Sequence, residues 1–101
     1  MESLTYTRPA TTPAARRAHV GVVGSGDLEV LLEPAADGTT VELRTSVDGF
    51  GPTWKAVLDR FFARYDIAAS IRINDFGATP GTVTLRLAQA VEAATAEETL
   101  Q

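Results

Sequence analysis

Residues 40–65, TVELRTSVDGFGPTWKAVLDRFFARY, decide the fold, because the spacing of the apolar residues changes inside them. Val41, Leu43 and Val47 fall on one side of an extended chain and Glu42 and Arg44 on the other, the alternation of a half-buried strand over 40–47. Asp48-Gly49-Phe50-Gly51-Pro52 then breaks that period. From Trp54 the apolar residues recur at Val57, Leu58, Phe61 and Tyr65, which places all of them on one face of a helix over 53–65. Lys55, Asp59, Arg60 and Arg64 fall mostly off that stripe. Four of the seven aromatic residues lie between 54 and 65, so this helix should be the anchor of the core.

Upstream, the period stays at two. Leu28, Val30 and Leu32 alternate with Glu29 and Glu33 in a strand over 28–33 that Pro34 stops, and Leu31 is the exception on the polar side. Ala18 to Val23 forms a further strand, and the connector Gly24-Ser25-Gly26-Asp27 reads as a hairpin turn, because glycine supplies the positive φ that tight turns require. With Ala35-Ala36-Asp37-Gly38 as the next turn, strands 18–23, 28–33 and 40–47 are expected to make a meander. Residues 1–17 read as an edge strand around Leu4 and Tyr6, followed by a loose connector rich in Thr, Pro and Ala.

Downstream, Ala69, Ile71 and Ile73 alternate with Ser70, Arg72 and Asn74 as a strand over 69–74. The cluster from Asp75 to Gly81 is a turn in which Thr79 can cap a helix and Pro80 occupy its first position. Residues 82–87 admit two readings: Val83, Leu85 and Leu87 alternate like a strand, whereas Val83, Leu87, Ala90, Val91 and Ala94 follow a helical spacing. The good helix formers that follow favour helix throughout. Residues 96–101 read as a frayed tail. The expectation is therefore one α+β domain over 1–101, in the order β-β-β-α-β-α, with a mostly antiparallel sheet covered on one side by two helices.

Composition narrows the chemistry. Across 101 residues, nine bases against thirteen acids leave a net charge of −4, which argues against nucleic acid as a partner. No apolar run reaches the ~18 residues that span a bilayer, and the amino terminus lacks the layout of a signal peptide, so a cytoplasmic protein without membrane contact is expected. The absence of cysteine and the single histidine, His19, exclude disulfides, thiolate nucleophiles and a Cys/His zinc site. A Ser25/His19 hydrolase would need an orienting acid and the right geometry; a strand histidine beside a glycine-rich hairpin is more often structural. Gly21-Val22-Val23-Gly24-Ser25-Gly26 does not have the G-x-G-x-x-G spacing and leads into a strand rather than a helix, which argues against a dinucleotide site. Asp75-Phe76-Gly77 matches the kinase magnesium triplet without the rest of a kinase around it. Ser25 itself reads two ways: as plain turn chemistry, or as a hydroxyl left accessible between two glycines.

At Ser25 the sequence becomes recognisable. Val20 to Pro34, Thr45-Ser46-Val47-Asp48-Gly49 and Ile73 to Gly81 closely resemble the acyl carrier (delta) subunit family of malonate decarboxylase, and more distantly the citrate lyase acyl carrier, which shares the Ser-Gly-Asp turn. In that family the serine of the turn carries 2'-(5''-phosphoribosyl)-3'-dephospho-coenzyme A through a phosphodiester. The resemblance therefore implies Ser25 as the attachment point and Gly24, Gly26 and Asp27 as the attachment turn. Ser3, near a terminus, and Ser46 and Ser70, in expected strands, fit less well. The resemblance also implies a non-catalytic carrier without a metal, shuttling acetyl and malonyl thioesters. Its partners would be an acyl carrier protein transferase (alpha) subunit, the decarboxylase beta and gamma subunits, a malonyl transferase and a prosthetic-group transferase. Asp27, Glu29 and Glu33, on the same hairpin as Ser25, suggest an acidic surface that steers basic partners. A citrate lyase-type carrier and an interaction module without a prosthetic group are the alternatives.

Overall fold

A computed structural model describes residues 1–95. It contains strands β1 (Glu2–Arg8), β2 (Ala18–Gly21), β3 (Leu28–Pro34) and β4 (Thr39–Thr45), helix α1 (Gly51–Arg64), strand β5 (Ala69–Asp75) and helix α2 (Pro80–Thr95). The five strands form one sheet in the order β1-β4-β5-β3-β2. The α+β class and the two helices agree with the sequence reading, and residues 82–87 are helical. Thr79 caps α2 as expected: its Oγ1 accepts the Thr82 N–H at 3.2 Å, and Pro80 begins the helix. The expected tail at 96–101 lies outside the described residues.

Two features of the sheet correct the sequence reading. The sheet is mixed, because β4 and β5 run parallel while β1–β4, β3–β5 and β2–β3 are antiparallel. The strands also do not form a meander, because β5 inserts between β3 and β4. A period of two shows which side of a strand is buried and not which neighbour it takes. The segment from Thr45 to Ala69, with α1 inside it, is long enough to cross over and return β5 parallel to β4. The central place suits β5, whose Ile71 and Ile73 are fully buried.

One face of the sheet carries Leu28, Val30 and Leu32 of β3, Val41 and Leu43 of β4, and Ala69, Ile71 and Ile73 of β5, all buried. Helix α1 lays Trp54, Val57, Leu58, Phe61 and Phe62 on that face, and α2 adds Val83, Leu87, Ala90, Val91 and Ala94 while packing along β2 and β3. Trp54, Val57, Leu58 and Phe61 of the stripe read from the sequence are therefore core, whereas Tyr65 lies past the end of α1 and is exposed, and Phe62, outside that stripe, is buried. Phe61 packs edge-on against Phe62 at 5.0 Å between ring centroids, and Tyr6 of β1 stacks on Phe62 at 6.0 Å. The Tyr6 hydroxyl donates to Asp59 Oδ1 at 2.8 Å, tying the edge strand to α1. The opposite face exposes Glu42, Arg44, Ser70 and Arg72.

The connector after β1 is tied down rather than loose. Ala14 is buried, and its N–H donates to the Ala68 carbonyl at 3.1 Å. The Ala15 and Arg16 N–H groups donate to the carbonyl of Ala94 near the end of α2. Asp66 accepts from the Thr11 hydroxyl at 2.6 Å and the Thr11 N–H at 2.9 Å, bonds that hold its carboxyl below the usual carboxylate range. The small, polar residues that looked like linker composition instead let the chain lie close against neighbouring carbonyls.

Candidate functional site

Strand β2 ends at Gly21, two residues before the sequence reading would end it, for a steric reason. Gly21 has φ +85°, and a Cβ there would lie 2.1 Å from the Leu28 carbonyl oxygen. Only glycine fits so close an approach in that backbone region. The chain turns outward at this point and leaves Val22 and Val23, expected in the strand, exposed in the loop that joins β2 to β3.

The loop closes through a tight turn over Gly24-Ser25-Gly26-Asp27. The Asp27 N–H donates to the Gly24 carbonyl at 3.0 Å, and Gly26 has φ +78° while Ser25 does not enter the positive region. A positive φ at the third of four residues is the arrangement of a type II turn, which glycine adopts without strain. Ser25 is thus at the second turn position, exposed, and among the described residues no group takes up its hydroxyl.

The residues after Ser25 are held firmly. The Gly26 N–H donates to the Phe76 carbonyl at 2.7 Å, and the Phe76 N–H donates to the Asp27 carbonyl at 2.9 Å, so the turn is stitched to the chain leaving β5. Arg86 on α2 grips the Asp27 carboxylate with two parallel bonds, Nε to Oδ1 at 3.1 Å and Nη2 to Oδ2 at 2.9 Å. Paired bonds of this kind are among the stronger and more directional contacts available to a carboxylate. The Leu28 N–H adds a bond to Oδ1 at 2.7 Å. Arg86 first, and the Leu28 amide second, lower the Asp27 carboxyl below its ordinary range, and Asp27 in turn raises Arg86.

The other half of the support is Asp75, buried at the end of β5. Its Oδ1 accepts the Ala78 N–H at 3.0 Å, and its Oδ2 accepts the Gly77 N–H at 3.2 Å and the Thr45 hydroxyl at 2.8 Å. Asp75-Phe76-Gly77 is therefore a structural turn: the aspartate folds the backbone so that Phe76 faces the Ser25 loop. Sequence reasoning identified the turn residues 24–27 but missed Arg86 and Gly21. An arginine 59 positions away from its aspartate leaves no local signal, and the glycine at position 21 offered one that went unread: a glycine within an apolar run, where a backbone under close approach needs the missing side chain.

His19 makes no dyad with Ser25, in keeping with the structural reading of that histidine; its Nε2 lies 2.9 Å from Glu29 Oε2. One further expectation fails here. The acidic steering surface is occupied internally: Asp27 by Arg86, Glu29 by His19 and by the Asn74 amide at 3.0 Å, and Glu33 by Arg17 at 3.1 Å. Glu33 also sits at the far end of β3 from the loop, opposite Ser70. Of the competing serines, Ser3 is paired within β1 and Ser46 lies just past β4 rather than in it.

The comparisons with known proteins fall on this same arrangement. The family model for the malonate decarboxylase delta subunit (MdcD) matches residues 15–94, a span that includes the loop, both helices and the Asp75 turn. The chain belongs to this family. A malonate decarboxylase acyl carrier protein of Pseudomonas paraeruginosa is 59% identical over 96 residues, covering 93% of this chain and 97% of the relative. One of Azotobacter vinelandii is 51% identical over 94 residues, covering 91% and 95%. A chain in the crystal structure of a Pseudomonas malonate decarboxylase hetero-tetramer in complex with malonate superposes with a TM-score of 0.88 at 47% identity, covering 93% of this chain and 99% of that one. Family membership makes this an acyl carrier subunit, a carrier rather than a catalytic subunit. No helix among the described residues is long and apolar enough to cross a membrane.

Proposed function

We propose that Ser25 is the attachment point of a 2'-(5''-phosphoribosyl)-3'-dephospho-coenzyme A arm, and that the chain works as the mobile-substrate carrier of a cytoplasmic malonate decarboxylase. The observation that carries this reading is the contrast within one turn: an exposed hydroxyl without a partner among the described residues, followed at once by residues held by the chain leaving β5 and by Arg86 of α2. The site also has room for a bulky substituent. A Cβ at Gly26 would meet nothing within 4 Å, and one at Gly24 would meet only Val22 Cγ2 at 3.8 Å. When bound, such a group supplies the thiol that a cysteine-free chain lacks, and with it thioester chemistry for acetyl and malonyl groups.

The chain's own residues supply position and access. Ser25 would hold the group through a phosphodiester at its Oγ, formed as that oxygen displaces the outer phosphate chain of an activated phosphoanhydride donor and the hydroxyl proton passes to a base of the attaching enzyme. Gly24 and Gly26 clear the approach, and Asp27, held by Arg86, keeps the turn from folding back. A short turn standing out from a rigid sheet suits a prosthetic-group transferase during loading. The same exposure suits a malonyl transferase, the acyl carrier protein transferase (alpha) subunit and the decarboxylase beta and gamma subunits during turnover. Tethering raises the effective concentration of the carried group at each of them, to about the millimolar range for flexible links.

The test is reconstitution. Complex assembled with Ser25→Ala should be intact by size-exclusion chromatography and inactive in malonate decarboxylation, whereas Ser46→Ala should support full turnover. An active Ser25→Ala complex would overturn the reading.

A further inference from the structure

A cavity of about 230 Å³ opens beside the loop, between the start of α1, the start of α2 and the carboxyl ends of the parallel pair β4 and β5. Crevices at the carboxyl ends of parallel strands are a recurrent place for ligands in sheets with helical cover. Its wall is mainly apolar, built by Val47, Phe50, Trp54, Val57, Ala78 and Val83. Phe50 is 51% exposed and Val47 38%, so two large apolar side chains face solvent at this end of the molecule. Exposed apolar groups beside a concavity mark a surface made to be covered.

The cavity and Ser25 share one rigid junction. Gly77 and Ala78 of the wall follow Phe76 directly, and Phe76 is the residue bonded in both directions to Gly26 and Asp27. A Cβ at Gly77 would stand 4.0 Å from the Gly26 N. Anything flexible attached at Ser25 therefore pivots at the rim of this cavity. Of the polar wall groups, Thr45 donates to Asp75, whose two oxygens take the Gly77 and Ala78 amides, and the exposed Thr53 adds one further hydroxyl. Among the described residues no lysine, arginine or histidine lines the space, and Pro52 and Pro80 each remove a donor from the helix starts beside it.

Resting on the proposed attachment at Ser25, we infer that this cavity is a resting site for the thiol end of the arm, which it holds when bare or acetylated and releases when malonylated. The acetyl thioester is small and neutral and gains from leaving water. The malonyl group carries a carboxylate that would have to be desolvated near Asp75 without a cation to pair it. Because tethering makes binding intramolecular, even a weak contact gives substantial occupancy. The consequence is a discrimination built into the carrier: the group awaiting exchange is sheltered, and the group awaiting decarboxylation is presented.

The test uses full-length carrier with valine methyl groups labelled with carbon-13, the adduct on Ser25 first verified by mass in the same sample. On going from unmodified to acetylated carrier, the methyl signals of Val47, Val57 and Val83 should shift, and malonylation should return them toward their unmodified positions. The chain contains no cysteine, so the bare arm holds the sole thiol. Its alkylation by a maleimide should be slowed roughly 2- to 10-fold relative to the same arm on the Phe50→Asp variant, whose change lies at the exposed mouth. Absence of the adduct would defeat the attachment reading itself. With the adduct present, shifts confined to Val22 and Val23, equal or larger cavity shifts for the malonyl form, or alkylation unchanged by Phe50→Asp would each overturn the resting site.

Discussion

The root and the tip of the loop between β2 and β3 are built on opposite plans, though only a few residues separate them. At the root, Gly21 cannot carry a side chain because the Leu28 carbonyl occupies its place, and Asp27 is held at its carboxylate by Arg86 and the Leu28 N–H and at its carbonyl by the Phe76 N–H. At the tip, Ser25 is exposed, and the space beside Gly26 is open. On the proposed attachment at Ser25, the difference teaches how a small carrier can present a hydroxyl without a floppy support: rigidity is spent on the flanks, and among the described residues nothing takes up the hydroxyl at the tip.

The largest effect should come from beneath the loop's scaffold. Phe61 is 3% exposed and packs between Phe62 and Tyr65, so Phe61→Ala should cost about 3–5 kcal/mol in urea melts. That is a large share of the ~5–15 kcal/mol typical of a domain. A loss below about 1 kcal/mol would mean that α1 does not anchor the core.

Next comes the root. Gly21→Ala combines a positive φ with a Cβ overlapping the Leu28 carbonyl, and should destabilise by at least roughly 1–3 kcal/mol, with the damage centred on β2. Gly26→Ala meets no atom and should cost only the left-handed backbone penalty, about 1–2 kcal/mol. Gly24→Ala, with neither clash nor positive φ, should stay within about 0.5 kcal/mol of the parent. Thermal melts of the three variants give the order directly; equal losses would erase the contrast between root and tip.

A finer probe is pH. The Asp27 carboxyl is held below its ordinary value, first by Arg86, so its contribution is fully present above the usual carboxylate range near ~4 and is lost as pH falls through the depressed value. Carbon-13 titration should show Asp27 protonating below that range, and moving back toward it in Arg86→Gln, where the Leu28 amide still holds the carboxyl. The same variant should exchange its Gly26 and Phe76 amides faster while its melting point moves little, because the clamp is local. An Asp27 that titrates in the ordinary range would show that the clamp does not hold in solution.

How much of this was legible in the sequence depends on the range of the interaction. The shift from a period of two to a helical one near Trp54 revealed the strands, the α1 stripe and the α+β class, because burial imprints itself on residues a few positions apart. The capping of α2 by Thr79 was visible for the same reason. Pairing was not: nothing in Ile71 or Ile73 says that β5 lies between β3 and β4 or runs parallel to β4. Ala10 to Ala15 looked like linker because the carbonyls that hold them belong to residues 68 and 94. At the site, the flanking glycines left Ser25 open between plain turn chemistry and an accessible hydroxyl, and the family resemblance made the choice; Arg86 was hidden by its distance along the chain, and Glu29 and Glu33 are paired on the surface that their spacing suggested was free.

Peptide mass mapping of the chain produced together with its attaching enzymes tests the central claim most directly. The account predicts one adduct, of the mass of phosphoribosyl-dephospho-coenzyme A joined by a phosphodiester, on the peptide containing Ser25, and none on the Ser25→Ala chain, which should itself melt within about 0.5 kcal/mol of the parent. An adduct on Ser46, or an unmodified chain in a complex that still decarboxylates malonate, would contradict it.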